Sequence, residues 1–196
     1  MRRSHLLACL LAGFPGTAAA QWSARIELGA MTFRGASHDT SGAVPPADFR
    51  PYHCVAVRVG VEHRWDVLGV AVSVLRGSPG LALESDETVF VAKNLLAFWE
   101  IAPEVSMGVA GSEVSVRLQL GPLFDVWLPE GGTSHSRVGA HAGVSLEWLL
   151  GARVSGSVQA ALALSSSAFR PGDLPARFEL PSLWRRGVAG GVRWRF

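Results

Sequence analysis

The sequence predicts an all-β chain, an antiparallel up-and-down β-barrel of about eight strands that crosses a membrane. Three observations carry this. The 196 residues are 48% hydrophobic and only 17% charged, apolar for a soluble domain, yet no stretch beyond the N-terminus is a continuous apolar run of spanning length. The apolar residues instead alternate with polar or small ones, the period of strands with one oily face. The connections between those runs alternate long and short along the chain.

Residues 1–20 read as a secretory signal peptide: Arg2 and Arg3 lead, Leu6 to Phe14 form the apolar stretch, and Ala18-Ala19-Ala20 precede Gln21. That stretch is too short to anchor a helix in a bilayer and closes on Pro15 and Gly16. A lipidated start at Cys9 would leave too short an apolar core for export. The expected mature domain is therefore residues 21–196, the barrel. Losing Arg2 and Arg3 turns 18 Lys+Arg against 16 Asp+Glu into 16 of each, so the basic balance of the whole chain implies no nucleic-acid partner. Cys54 is then the only cysteine, which excludes an intramolecular disulfide, and no Cys/His spacing suits a metal or calls for a cofactor.

The first strand sets Trp22, Ala24, Ile26, Leu28 and Ala30 against Ser23, Arg25, Glu27 and Gly29. Residues 35–50, rich in Gly, Ser and Pro, form a long connection to a second, with Val55, Val57, Val59 and Val61 against Cys54, Ala56, Arg58, Gly60 and Glu62. His63-Arg64-Trp65-Asp66 turns the chain into a third, Leu68, Val70, Val72 and Val74 against Gly69, Ala71 and Ser73. Residues 76–87 make the next loop, and a fourth strand is expected from Thr88 to Val109, with Leu95, Ala97, Trp99, Ile101, Val105 and Met107 opposite Glu100, Glu104 and Ser106.

After a brief turn at 108–113, a fifth strand opposes Val114, Val116, Leu118, Leu120, Phe124 and Val126 to Ser115, Arg117, Gln119, Gly121 and Asp125. Residues 128–136 lead to a sixth, where Val138 through Trp148 alternate with Arg137, Gly139, His141, Gly143, Ser145 and Glu147. Leu149 to Gly151 reverses the chain into a seventh, Val154, Val158, Ala160, Leu162 and Leu164 against Arg153, Ser155, Ser157 and Gln159, and residues 165–183 are the last loop before the eighth. Short turns on one side and long loops on the other are what outer-membrane barrels show.

Alternation alone does not say which face points inward, and a soluble barrel of lipocalin type has the mirror-image pattern. Two features place the oily face outside. The polar face is crowded with glycine and alanine, which suit a narrow filled lumen better than a solvated surface. It also holds the strand-core charges, Arg25, Glu27, Arg58, Glu62, Glu100, Glu104, Arg117, Arg137, Glu147, Arg153, Arg193 and Arg195. An arginine facing lipid at mid-bilayer costs about 2–4 kcal/mol, so lipid enforces that segregation. Trp22, Trp65, Trp148 and Trp194 fall near the short-turn ends, as an aromatic girdle.

The C-terminal residues 184–196, WRRGVAGGVRWRF, resemble the β-signal that ends bacterial outer-membrane proteins. Gly191, Trp194 and Phe196 stand at its matching places, and Ala189 stands where a polar residue is usual. With the signal peptide and the strand count, the mature chain resembles the OmpA/OmpX-like outer-membrane β-barrel superfamily. That resemblance implies a monomer in the bacterial outer membrane, with outer-membrane lipid and the barrel assembly machinery as partners and an extracellular ligand left open.

The function expected from the residues is structural or surface-interacting, through extracellular loops above a plugged polar lumen. The lumen network comprises those twelve charged residues with His141, paired because an unpaired charge in a confined lumen is costly. A narrow channel or transporter for small solutes is the alternative, and a lipid-modifying enzyme stands third. Its candidates, His38, Asp39 and Ser41 in the first loop and Ser134, His135 and Ser136 in the third, are ordinary loop composition, and no catalytic residue is assigned.

If the terminal aromatic is part of an assembly signal, deleting Phe196 should leave unfolded protein in the periplasm and abolish the heat-dependent gel shift of a folded barrel. Normal folded yield in the outer membrane would remove that role from Phe196.

Overall fold

The computed structural model describes residues 21–38, 40, 48–84, 88–93, 95–109, 114–176 and 178–196. The signal peptide, Cys9, Asp39, Ser41 and most of the turn at 108–113 lie outside the described residues.

Twelve strands follow in order: β1 Gln21–Arg34, β2 Ser37–His38, β3 Asp48–Pro51, β4 Cys54–Trp65, β5 Leu68–Gly77, β6 Leu81–Glu84, β7 Val89–Ala92, β8 Leu96–Val109, β9 Val114–Pro129, β10 His135–Leu149, β11 Val154–Ser165 and β12 Leu183–Arg195. Eight of them close an antiparallel barrel in the order β1-β12-β11-β10-β9-β8-β5-β4. Closure is what allows strands to cross hydrocarbon, because every edge finds a partner. The parity is the one lipid dictates: Val55, Val57, Val59 and Val61 are exposed, while Ala56, Arg58 and Glu62 between them are buried. Trp22, Trp65, Trp148 and Trp194 ring the short-turn end of the outer surface, and Trp99 and Trp184 the other.

Two stretches expected as loops are strands. The other four elements form a second sheet, ordered β2-β3-β6-β7, which repeats the barrel order β1-β4-β5-β8 beyond the long-loop rim of the barrel. The expected fourth strand is likewise two, β7 and β8. These pieces are only two to four residues long, set among Gly and Pro, so period-two alternation has no length over which to show. Gly35 makes the step from β1 to β2, with φ of 100° and the Ser182 carbonyl occupying the place a side chain would take. The hairpin after β4 is tighter than the sequence suggests. Trp65 pairs with Leu68, so only Asp66 and Val67 turn the chain, Asp66 in the left-handed region with φ of 52°.

The ladder between β8 and β9 has one interruption. Pairing runs from Leu96↔Pro129 to Ile101↔Phe124 and resumes at Val105↔Leu120 in the same register. That register sets Pro103 opposite Pro122, and neither has an N–H to give. On their other sides both remain paired, Pro103 with Val72 and Pro122 with Ala140. The barrel wall thus carries a seam at mid-depth where two proline carbonyls face without donors.

Hydrogen exchange should reveal the seam. Backbone amides of Val105 and Leu120 should exchange faster than those in the unbroken β9–β10 ladder, and should slow in a Pro103→Ala/Pro122→Ala variant that restores both donors. Equal exchange before and after would mean the seam is closed by other contacts.

Candidate functional site

The inward residues of the barrel form three zones. Toward the short-turn end, Glu62 and Glu147 share two arginines. Arg193 pairs with Glu62 and reaches Glu147 at 2.8 Å, while Arg64 lies 3.0 Å from Glu62 and 2.8 Å from Glu147. Ser106 donates its hydroxyl to Glu62 at 2.7 Å and accepts from Arg117 at 2.8 Å. At mid-height, one terminal nitrogen of Arg25 contacts both oxygens of Glu104, at 2.6 and 2.7 Å, and Ser73 donates to the same carboxylate at 2.6 Å. Arg58 spans from Glu27 at 3.8 Å to Glu100 at 3.4 Å and donates to Gln159 at 3.1 Å, which in turn bonds Gln119. Above them Arg185 joins Glu100 at 2.6 Å and Asp125 at 3.1 Å.

Among the described residues this network contains six arginines (25, 58, 64, 117, 185, 193) and six carboxylates (27, 62, 100, 104, 125, 147). Neutrality follows from the environment, because an odd charge in a lumen cut off from water would keep its full desolvation penalty. The cavity beside Glu27, Arg58 and Gln159 is about 30 Å³, room for one or two waters.

The third zone is apolar. Met31, Phe33, Cys54, Leu75, Leu96, Phe98, Trp127 and Leu183 fill the long-loop mouth of the barrel. Phe98 stacks on Trp127 with centroids 4.8 Å apart, Phe33 meets both edge-on at 6.1 Å, and Arg185 lies under Phe98 at 5.0 Å. The last loop is drawn down onto this cap. Arg137 donates to the carbonyls of Ser167 and Phe169, each at 2.7 Å, and His135 donates from Nε2 to the Ala168 carbonyl at 2.6 Å.

The sequence expectation is corrected at four positions. Arg137 holds a loop carbonyl pair instead of a carboxylate. Arg153 precedes β11 in the turn and is exposed. Arg195 sits half-buried at the barrel end, with the Ala152 carbonyl at 3.5 Å. His141 is buried in the lumen beside Gly121, but neither ring nitrogen has a hydrogen-bond partner among the described residues.

Three residues missing from that expectation belong to the network. Arg64 was hidden by its neighbour Asp66, which makes the whole segment look like a turn. Arg185 was hidden in Arg185-Arg186, a doublet whose members face opposite sides of the wall. Asp125 lies on the polar parity, and that parity was the signal for all three.

At the chain end, Gly191 faces inward, where a Cβ would meet the Ile26 carbonyl and lie 2.7 Å from Glu27 Cγ. Trp194 and Phe196 face out, and the Phe196 amide donates to the Trp22 carbonyl at 3.1 Å. In the long loops His38 Nδ1 bonds Asp48 at 2.7 Å on the second sheet, and the Ser134 carbonyl accepts from Arg170.

A closed eight-stranded antiparallel wall, oily outside and charged inside, defines a transmembrane barrel of the bacterial outer membrane, and the fold is of the OmpA/OmpX-like kind. Among solved structures the chain is similar to Neisserial surface protein A, with a TM-score of 0.57 and 12% identity over 90% of this chain and 99% of that one. It is also similar to the outer membrane protein OprG from Pseudomonas aeruginosa, with a TM-score of 0.59 and 9% identity over 92% and 98%. No family model matches the chain, and no curated protein matches it in sequence.

Removing one member of a buried pair strands the other. Arg25→Ala or Glu104→Ala alone should each destabilise the folded barrel by about 3–5 kcal/mol, whereas Arg25→Met with Glu104→Leu should recover most of the loss. Urea unfolding in lipid vesicles, followed by tryptophan fluorescence, would measure this; single variants as stable as the unmodified protein would refute the coupling.

Proposed function

We propose that the protein is a closed barrel whose role is structural or surface-interacting, carried by the sheet and loops at its long-loop end. The observation that carries this reading is the doubly blocked lumen: a neutral twelve-residue ion network below and an aromatic cap above. An eight-stranded lumen is just wide enough for side chains to fill, and here they do.

Above the membrane the chain builds a surface suited to contact. Among the described residues β7 is an edge strand, with Val89 and Phe90 exposed, and an edge bearing apolar side chains is a template for a partner. The sheet itself is held in shape. Arg50 forks onto Glu84, and that hydrogen bond holds the Glu84 carboxyl below its ordinary range. Phe178 from the last loop packs on Phe49 at 5.2 Å. The two loop histidines, His38 and His135, bond Asp48 and the Ala168 carbonyl.

Purified protein in planar bilayers should show no steady conductance, and a large stable conductance would overturn the closed-barrel reading in favour of a channel. Epitope tags at Gly131 should be reached by antibody on intact cells, and tags at Gly151 only after permeabilisation. The reverse labelling would place the sheet in the periplasm and remove the surface role.

A further inference from the structure

The arginines inside the barrel are all engaged, but two on its outer surface are not. Arg34 and Arg186 face outward and exposed near the long-loop end of β1 and β12. The register pairs Arg34 with Trp184 and Thr32 with Arg186, so Arg34 and Arg186 are diagonal neighbours on the outer face, with Thr32 directly across from Arg186. Neither has a hydrogen bond or an ion pair among the described residues. Arg76, the other outward arginine in this girdle, differs, because its guanidinium lies over the Trp99 ring at 5.2 Å.

Directly toward the membrane the surface is hollow. The register aligns Arg186 with Leu162 and Ala142 on β11 and β10, and the next row down is Ala30, Val188, Ala160 and Val144. Alanines alternating with larger residues leave a depression of about 640 Å³, lined by both rows and topped by Arg186. A lipid-facing wall with unpaired cations at the headgroup level and a trough beneath has the shape of one lipid molecule, head and tail.

We propose that this face binds the phosphorylated, multiply acylated glycolipid of the outer leaflet, with Arg34, Arg186 and Thr32 on a lipid phosphate and an acyl chain in the depression. Guanidinium forks match phosphate geometry, and charge-assisted bonds of this kind are the strong ones. The side of the membrane selects the glycolipid over a phospholipid: both arginines lie at the long-loop end, which faces the cell exterior in such barrels. The inference rests on the outer-membrane placement and is independent of whether the lumen conducts.

Native mass spectrometry of the folded barrel in mild detergent tests it, with bisphosphorylated lipid A, its dephosphorylated form and phosphatidylglycerol as probes. Lipid A should remain bound to the unmodified protein, and dephosphorylation should weaken it about ten-fold or more, as loss of charged hydrogen bonds predicts. Arg34→Gln with Arg186→Gln should weaken lipid A to the same extent, Ala160→Trp should weaken both glycolipid forms by filling the depression, and Arg76→Gln should change nothing. A heat-dependent gel shift checks that each variant is folded; the probe comparison on unmodified protein stands if one is not. Equal retention of the dephosphorylated form, equal loss in Arg76→Gln, or phosphatidylglycerol held as tightly as lipid A would each overturn the assignment.

Discussion

Hydrocarbon on the outside leaves the charges of this chain one place to go, and the structure depends on how they are disposed of there. Each strand crosses with its apolar parity against lipid, so the ionised side chains at hydrocarbon depth, below the outward arginines of the long-loop girdle, are pressed into a lumen barely wider than the side chains themselves. Such a space tolerates charge only as a neutral, hydrogen-bonded set. Six arginines against six carboxylates, with serine and glutamine hydrogen bonds added at Glu62, Glu104 and Arg58, is that set. The small inward residues follow from it: a Cβ on Gly69 would lie 2.8 Å from a Glu62 oxygen and 2.7 Å from the Ser106 hydroxyl, and one on Gly60 would lie 3.0 Å from Arg25 Nε. Glycine on this parity makes room for the ion pairs.

The two ends of the lumen are treated differently because their surroundings differ. At the short-turn end the network runs nearly to the rim, where Arg64 is only part-buried and water can share its hydration. At the long-loop end the inward parity changes from charged to aromatic, and Arg137 and His135 draw the last loop onto the cap. A polar network open to the exterior would be hydrated and exchange partners; an apolar lid removes that competition and strengthens the pairs beneath it. The seam at Pro103 and Pro122 lies in the same wall as Glu104, beside the best-formed pair.

Much of this was legible from residue order. Period-two alternation identifies the eight barrel strands because a strand in a lipid-facing wall must keep its parity for its whole length; one slip would put an arginine into hydrocarbon. Val55 to Glu62 shows this with no ambiguity. The second sheet was illegible for the complementary reason. Ser37-His38 and Asp48 to Pro51 are too short to display a period, and β3 pairs on its other side with a strand far along the chain, Leu81 to Glu84.

The sequence by itself therefore determined the eight barrel strands, the face each of their residues presents and the need for a balanced interior, since these follow from a local period and from the cost of charge in lipid. Tertiary structure decided which charges meet. Arg25 finds Glu104 across 79 residues and Arg193 finds Glu147 across 46, pairings set by strand stagger around the closed barrel. Stagger also lifted Arg137, Arg153 and Arg195 out of the network and brought Arg64, Arg185 and Asp125 in. A local pattern carries parity but no height, and in a barrel only the closing of the last strand on the first assigns each side chain its level in the lumen.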